Sequence, residues 1–100
     1  MPSPKPVLVY HPAVGTDDLP LIDSRMRDRI RRAIDGRLAT SPESYGVPLR
    51  KNLKGLWKMR VGDYRVVFKP AGNEILILAI HHRKNVYEIS GKRRSWPATS

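Results

Sequence analysis

Three cations sit at alternating positions in two strand-like runs. Lys58 and Arg60 lie in Leu56–Val61, Arg65 lies in Tyr64–Lys69, and Gly62-Asp63 separates the runs. Two such runs split by two turn residues, with glycine first, predict a tight type II′ hairpin. Its register follows from the turn: Val61 opposes Tyr64, Arg60 opposes Arg65, Met59 opposes Val66, Lys58 opposes Val67 and Trp57 opposes Phe68. Side chains alternate between faces along a strand. One face therefore carries Trp57/Phe68, Met59/Val66 and Val61/Tyr64, and the other carries Lys58, Arg60 and Arg65. Like charges directly opposite cost roughly 0.2–1 kcal/mol. An anion between Arg60 and Arg65 reverses that sign, and phosphate suits paired guanidinium donors. The competing reading is a solvated face with splayed arginine tips. Downstream, His81-His82-Arg83-Lys84 and then Tyr87 follow an apolar run. Tyr87 adds a platform for a base, or a hydroxyl near the phosphate.

These residues need a scaffold. Val7–Tyr10 is short and β-prone, and Pro12 stops it. From Asp17 to Leu38, Leu19, Ile22, Met26, Ile30, Ala33, Ile34 and Leu38 recur at steps of three and four, one helical stripe. Pro20 suits only a first turn, so a short helix is expected near Asp18. Asp23 or Ser24 caps a second helix running to about Leu38. Arg25, Arg27, Arg29, Arg31, Arg32 and Arg37 lie between the apolar positions. They read either as a solvated outer face or as a secondary contact for nucleic acid or a protein partner. Thr40–Pro48 reads as a loop and Ala71-Gly72-Asn73 as a turn. Glu74–Ile80 is apolar on both faces, as in a central buried strand. Asn85–Ser90 is either a short helix or an extended tail.

The chain has 100 residues, with 19 Lys and Arg against 9 Asp and Glu, a formal charge of +10. That length fits one domain spanning 1–100, with residues 1–6 and 92–100 expected to be flexible. The charge costs self-repulsion and attracts polyanions, nucleic acid first. Arg50 to Lys69 holds seven cations (Arg50, Lys51, Lys54, Lys58, Arg60, Arg65, Lys69) and one acid, Asp63. With no cysteine, thiolate chemistry is excluded. No secretory signal is read at the N-terminus, and Ile75–Ile80 is too short to span a bilayer. A cytoplasmic protein with no membrane partner is expected. His81 and His82 adjoin, so a strand points them to opposite faces; no metal or other cofactor is expected.

The run Leu53-Lys54-Gly55-Leu56-Trp57-Lys58-Met59-Arg60-Val61-Gly62-Asp63-Tyr64-Arg65-Val66-Val67-Phe68 resembles the central hairpin of the RelE/ParE toxin superfamily. His82-Arg83-Lys84-Asn85-Val86-Tyr87 resembles the C-terminal signature of its RelE-like branch. The resemblance covers about residues 8–90. It implies an α+β fold: an N-terminal strand, two helices, then a curled antiparallel sheet. It also implies the toxin of a type II toxin–antitoxin module, paired with a cognate acidic antitoxin in a possible hetero-oligomer. RelE-like members cut messenger RNA, typically on the ribosome; ParE-like members share the fold and target DNA gyrase. By motif position, Lys58, Arg60, Arg65, Arg83 and Tyr87 take the catalytic places. Arg50, Lys51, Lys54, Lys69, His82 and Lys84 supply further nucleic-acid contacts. Both His82 and Arg83 are candidates for the terminal cationic place. The branch commonly has lysine where this chain has Arg60, and arginine clamps charge but is a poor base.

Overall fold

The computed structural model describes residues 6–97. Five strands form one sheet: β1 (Val7–Tyr10), β2 (Val47–Pro48), β3 (Trp57–Val61), β4 (Tyr64–Ala71) and β5 (Glu74–His82). Their order is β1-β5-β4-β3-β2. The α-helices are α1 (Ser24–Ala33), α2 (Pro42–Tyr45) and α3 (Val86–Arg93). The α+β class and the leading strand are as the sequence implies. The curled antiparallel sheet is not. The sheet is open and mixed, with β1 parallel to β5 and with β1 and β2 on opposite edges. Parallel pairing requires a crossover, and the helical stretch between β1 and β2 supplies it. β2 cannot extend the far edge, because it is two residues long and Pro48 has no N–H to donate.

The apolar stripe explains the helical layer. Ile22, Ile30, Ala33, Ile34 and Leu38 are buried, and they pack with Met59, Val61, Val66, Phe68, Ile75, Ile77 and Ile80. Asp23 caps α1 by accepting from Met26 N at 2.9 Å. The helix continues through a π turn, Ile34–Leu38. The first helical segment starts earlier than Pro20 suggests. A π turn spans Val14–Asp18, and a tighter 3-10 turn, Leu19–Leu21, follows it. Pro20 lies in the first positions of that new turn, where no N–H is needed. The expected loop 40–48 contains α2 and β2. Gly46 crosses the Phe68 ring so closely that a Cβ would sit 2.5 Å from it.

The β3–β4 register is the one the turn dictates, from Trp57↔Phe68 to Val61↔Tyr64. Gly62 takes φ +59° while Asp63 stays at negative φ, the type II′ pattern. Between β4 and β5 the register slips. Val67 faces Ala79 and Phe68 faces Ile77, which leaves Leu78 as a bulge. Leu78 and Ala79 therefore both point to the face away from α1, where Leu56, Val67, Leu76 and Val86 form a second apolar cluster. α3 closes that cluster with Tyr87 and Ile89. Of the expected flexible ends, residues 1–5 and 98–100 lie outside the described residues. Lys92 and Arg93 extend α3, and Trp96 packs against His11 with ring centroids 5.0 Å apart.

One buried carboxylate joins these layers. Asp18 is 0% exposed. It accepts from Ile80 N at 3.0 Å and from His81 Nε2 at 2.6 Å. Arg93 approaches it with both terminal nitrogens, at 2.8 and 2.9 Å, and also donates to Leu78 O at 3.0 Å. Burial pushes the Asp18 pKa up, but the bonds from Arg93, Ile80 and His81 outweigh it and hold the carboxyl below its ordinary value. A depressed folded pKa stabilises the fold above the unfolded value, about 3.9, and that stability drains as pH falls toward the folded value. Asp18→Asn is expected to cost about 3–5 kcal/mol in urea unfolding, the range for breaking a buried pair by removing one partner. It should also flatten the acid limb of stability below about pH 4. A loss under about 1 kcal/mol would remove Asp18 from this role.

Candidate active site

The face of the sheet away from α1 brings part of the predicted site together. Lys58 points there because its neighbours Trp57 and Met59 pack on the α1 side. Lys58 sits opposite Val67, at the margin of the second apolar cluster. Its Nζ donates to Tyr87 Oη at 3.3 Å and lies 5.5 Å from the ring centroid. Tyr87 comes from the first turn of α3, 29 residues away. A lysine amine and a phenol hydroxyl in contact, at the edge of an apolar floor, can pass a proton and hold a hydroxyl group.

Arg60 and Arg65 are register neighbours, as expected. Their head groups part. Arg60 is exposed, whereas Arg65 turns back and donates from Nη1 to Gly62 O at 3.0 Å and Tyr64 O at 2.9 Å. The hairpin carbonyls thus absorb the like-charge cost.

The bulge at Leu78 decides the histidines. It places His81 opposite Arg65 on the Lys58 face, with its ring bonded to Asp18. His82 points to the other side, edge-on to Tyr64 at 5.9 Å, and accepts from Lys84 N at 3.4 Å. His82 is therefore not brought to Lys58. Arg83 and Lys84 are exposed on the turn ahead of α3, and Arg83 N donates to Asp63 O at 2.9 Å. Because α3 starts at Val86, Arg83 and Tyr87 are not one helical turn apart. Arg50, Lys51 and Lys54 are exposed around the 3-10 turn Lys51–Leu53 that leads into β3. Lys69 is half-buried and donates to Trp96 O at 3.3 Å, so its amine holds the C-terminal segment in place.

Sequence reading missed Asp18 and Arg93. They are 75 residues apart, and neither belongs to a local pattern. A lone acid next to helical turns and an arginine in a basic tail carry no signal until the fold closes.

Comparison with known proteins gives a consistent picture. A model of the ParE toxin of type II toxin–antitoxin systems, parDE, matches residues 10–87. Toxin RelE of Mycobacterium tuberculosis is 30% identical over 90 residues, covering 87% of this chain and 86% of that protein. The RelBE2 toxin–antitoxin complex of Mycobacterium tuberculosis contains a chain that superposes with TM-score 0.73 at 25% identity, over 79% of this chain and 99% of that one. The RelB–RelE complex of Methanococcus jannaschii contains one with the same fold, at TM-score 0.62 and 22% identity, over 80% and 95%.

The geometry of Arg65 makes a test of its own. Removing a cation from a like-charge pair stabilises a bare hairpin, but here Arg65 also satisfies two turn carbonyls. Arg65→Ala should therefore lower stability by about 1 kcal/mol, read as a lower urea midpoint. A raised midpoint would mean that repulsion dominates.

Proposed function

Because the chain belongs to the RelE/ParE toxin superfamily, in its RelE/YoeB-like branch, and so has a toxin role, we propose that it kills by cutting messenger RNA on the ribosome. The Lys58–Tyr87 contact carries this reading. A protein that only occupies a gyrase surface needs no amine and phenol hydroxyl held together beside exposed arginines.

In this reading the RNA 2′-hydroxyl attacks its own phosphate. Lys58 takes the hydroxyl proton, and Tyr87 orients the nucleophile and stacks on a base. Arg60 stabilises charge on the phosphorane-like transition state, usually the largest contribution. Arg65 contributes with the guanidinium nitrogens not engaged by the turn. Arg83, on its exposed turn, neutralises the leaving oxygen, which takes its proton from water. Arg50, Lys51, Lys54 and Lys84 supply strand contacts. Lys69 and His82 contribute less, because one is bonded to Trp96 O and the other faces away. The chemistry asks for no cofactor. The site of action is the cytoplasm. The partner is a cognate antitoxin, as in the RelBE2 and RelB–RelE complexes. An acidic segment is the natural cover for a +10 chain, whose field steers such a partner in.

The test uses translating ribosomes carrying a defined message, with cuts mapped by primer extension. Tyr87→Phe should slow single-turnover cleavage while ribosome binding changes much less. Tyr87→Ala should slow it by a further 5- to 150-fold, roughly, from lost base stacking. Normal cutting by both variants would make Tyr87 structural. A wild-type protein that cuts no message but blocks gyrase supercoiling would replace this reading with the ParE-like one.

A further inference from the structure

We propose that the cleft between α1 and the uncovered edge of β3 is a second phosphate site, which grips single-stranded RNA next to the phosphate held at the Lys58 face. The inference rests on the ribonuclease reading and extends it along the strand.

The cleft holds about 260 Å³ and is lined by Arg29, Arg32, Ala33, Arg37, Arg60 and Val61. Arg29 and Arg32 lie one turn apart on α1, Arg37 follows on the π turn, and Arg60 comes from β3. β2 pairs only with Trp57 and Lys58, so the rest of the outer edge of β3 has no strand against it. Arg60 and Val61 point to opposite faces, yet both line the cleft. The cleft therefore lies along the free edge of β3, two residues from Lys58 at Arg60. Arg60 belongs to both places.

The ion pairs among the described residues are Arg31–Asp28, His81–Asp18, Lys92–Glu88 and Arg93–Asp18. None involves an arginine of the cleft. Four guanidinium groups without carboxylates around one concavity repel each other, and bound phosphates remove that cost. An acidic peptide also brings anions, but the surroundings favour RNA. Tyr45 is 49% exposed beside the cleft, with Arg37 over its ring at 5.6 Å. Aromatic rings and guanidinium planes are what unstacked bases lie against. A strand whose phosphate reaches Arg60 then has a charged path with a stacking surface, continuing past the edge of the sheet.

The test is fluorescence anisotropy of the full chain with a labelled 2′-O-methyl oligoribonucleotide, which cannot be cut. The cleft variant is Arg29→Gln/Arg32→Gln. Its control is Arg25→Gln/Arg31→Gln, with the same charge removed from α1 outside the cleft. Loss of two phosphate contacts should shrink the slope of log affinity against log salt by about 1.4, with affinity down roughly tenfold at moderate salt. The control should change the slope by less than half as much. Equal losses in both variants, or none in either, would overturn the cleft. So would a cleft variant that keeps its RNA affinity but releases polyglutamate, which would make this a peptide site. Wild-type protein that shows the cleft-dependent slope but cuts no message on ribosomes would refute the nuclease reading and leave the cleft standing.

Discussion

The carboxylate of Asp18 is the point on which three parts of the chain converge. It lies at the end of the first helical turns, and its bonds reach the backbone of β5 at Ile80, the ring of His81 and the guanidinium of Arg93 at the end of α3. Without it, Ile80 N and the His81 ring would be buried or half-buried donors lacking this partner, and Arg93 would keep only Leu78 O, which is costly in a low-dielectric interior. The consequence for the site is indirect but strong. α3 is a short helix of eight residues, and helices of that length do not persist alone. Its place over the second apolar cluster depends on Val86, Ile89 and Trp96 packing from one side and on Arg93 pinned at the other end. Tyr87 meets Lys58 because α3 is held there. A contact 29 residues apart at one end is thus underwritten by one 75 residues apart at the other.

Backbone geometry sets the second constraint. Gly62 fixes the phase of β3 against β4, and so puts Lys58 and Arg60 on the face away from α1. The bulge at Leu78 then shifts the phase of β5 by one residue. Without it, simple alternation would have carried His82 to the Lys58 face and His81 to the α1 face, away from its present place beside Asp18 and Arg65. One extra residue exchanges the roles of two adjacent histidines, an example of bulges re-aiming side chains near functional surfaces.

What could be read from residues alone follows the range of the interactions. The hairpin register, the stripe from Leu19 to Leu38 and a cap at Asp23 or Ser24 are local, set by a turn or a period, and were legible; the structure picks Asp23. The burial of β5 was legible because Ile75–Ile80 leaves no polar face. The openness of the sheet was not, because it depends on where β1 pairs, and four residues of β1 do not say whether they join β5 in parallel or extend a curl. The place of Tyr87 beside Lys58 was implied by motif position, but its four-residue spacing from Arg83 is not a helical turn, since the helix starts only at Val86. Asp18 and Arg93 had no local signature at all. The bulge was hidden for a related reason: Leu78 and Ala79 are both apolar, so the sequence does not mark which one is extra.

The treatment of charge ties the fold to its use. A chain with ten more cations than acids has to anchor many cationic side chains without matching carboxylates. Several are anchored on backbone carbonyls instead: Arg65 on Gly62 O and Tyr64 O, Lys69 on Trp96 O, Arg93 on Leu78 O and Arg94 on Lys54 O. The two kinds of anchor differ electrostatically. A carboxylate fixes a cation and cancels its charge, whereas a carbonyl dipole fixes it and leaves the net charge in place. Order is thereby obtained without neutralising the outward field that draws in a polyanion. Among the described residues the pairs Arg31–Asp28 and Lys92–Glu88 are exposed at 3.8 Å, and the close, buried cancellation is at Asp18. There Asp18 is fully buried against a mostly buried Arg93, and an unpaired guanidinium or carboxylate would be the larger cost. The surface charge is left for a partner of opposite sign.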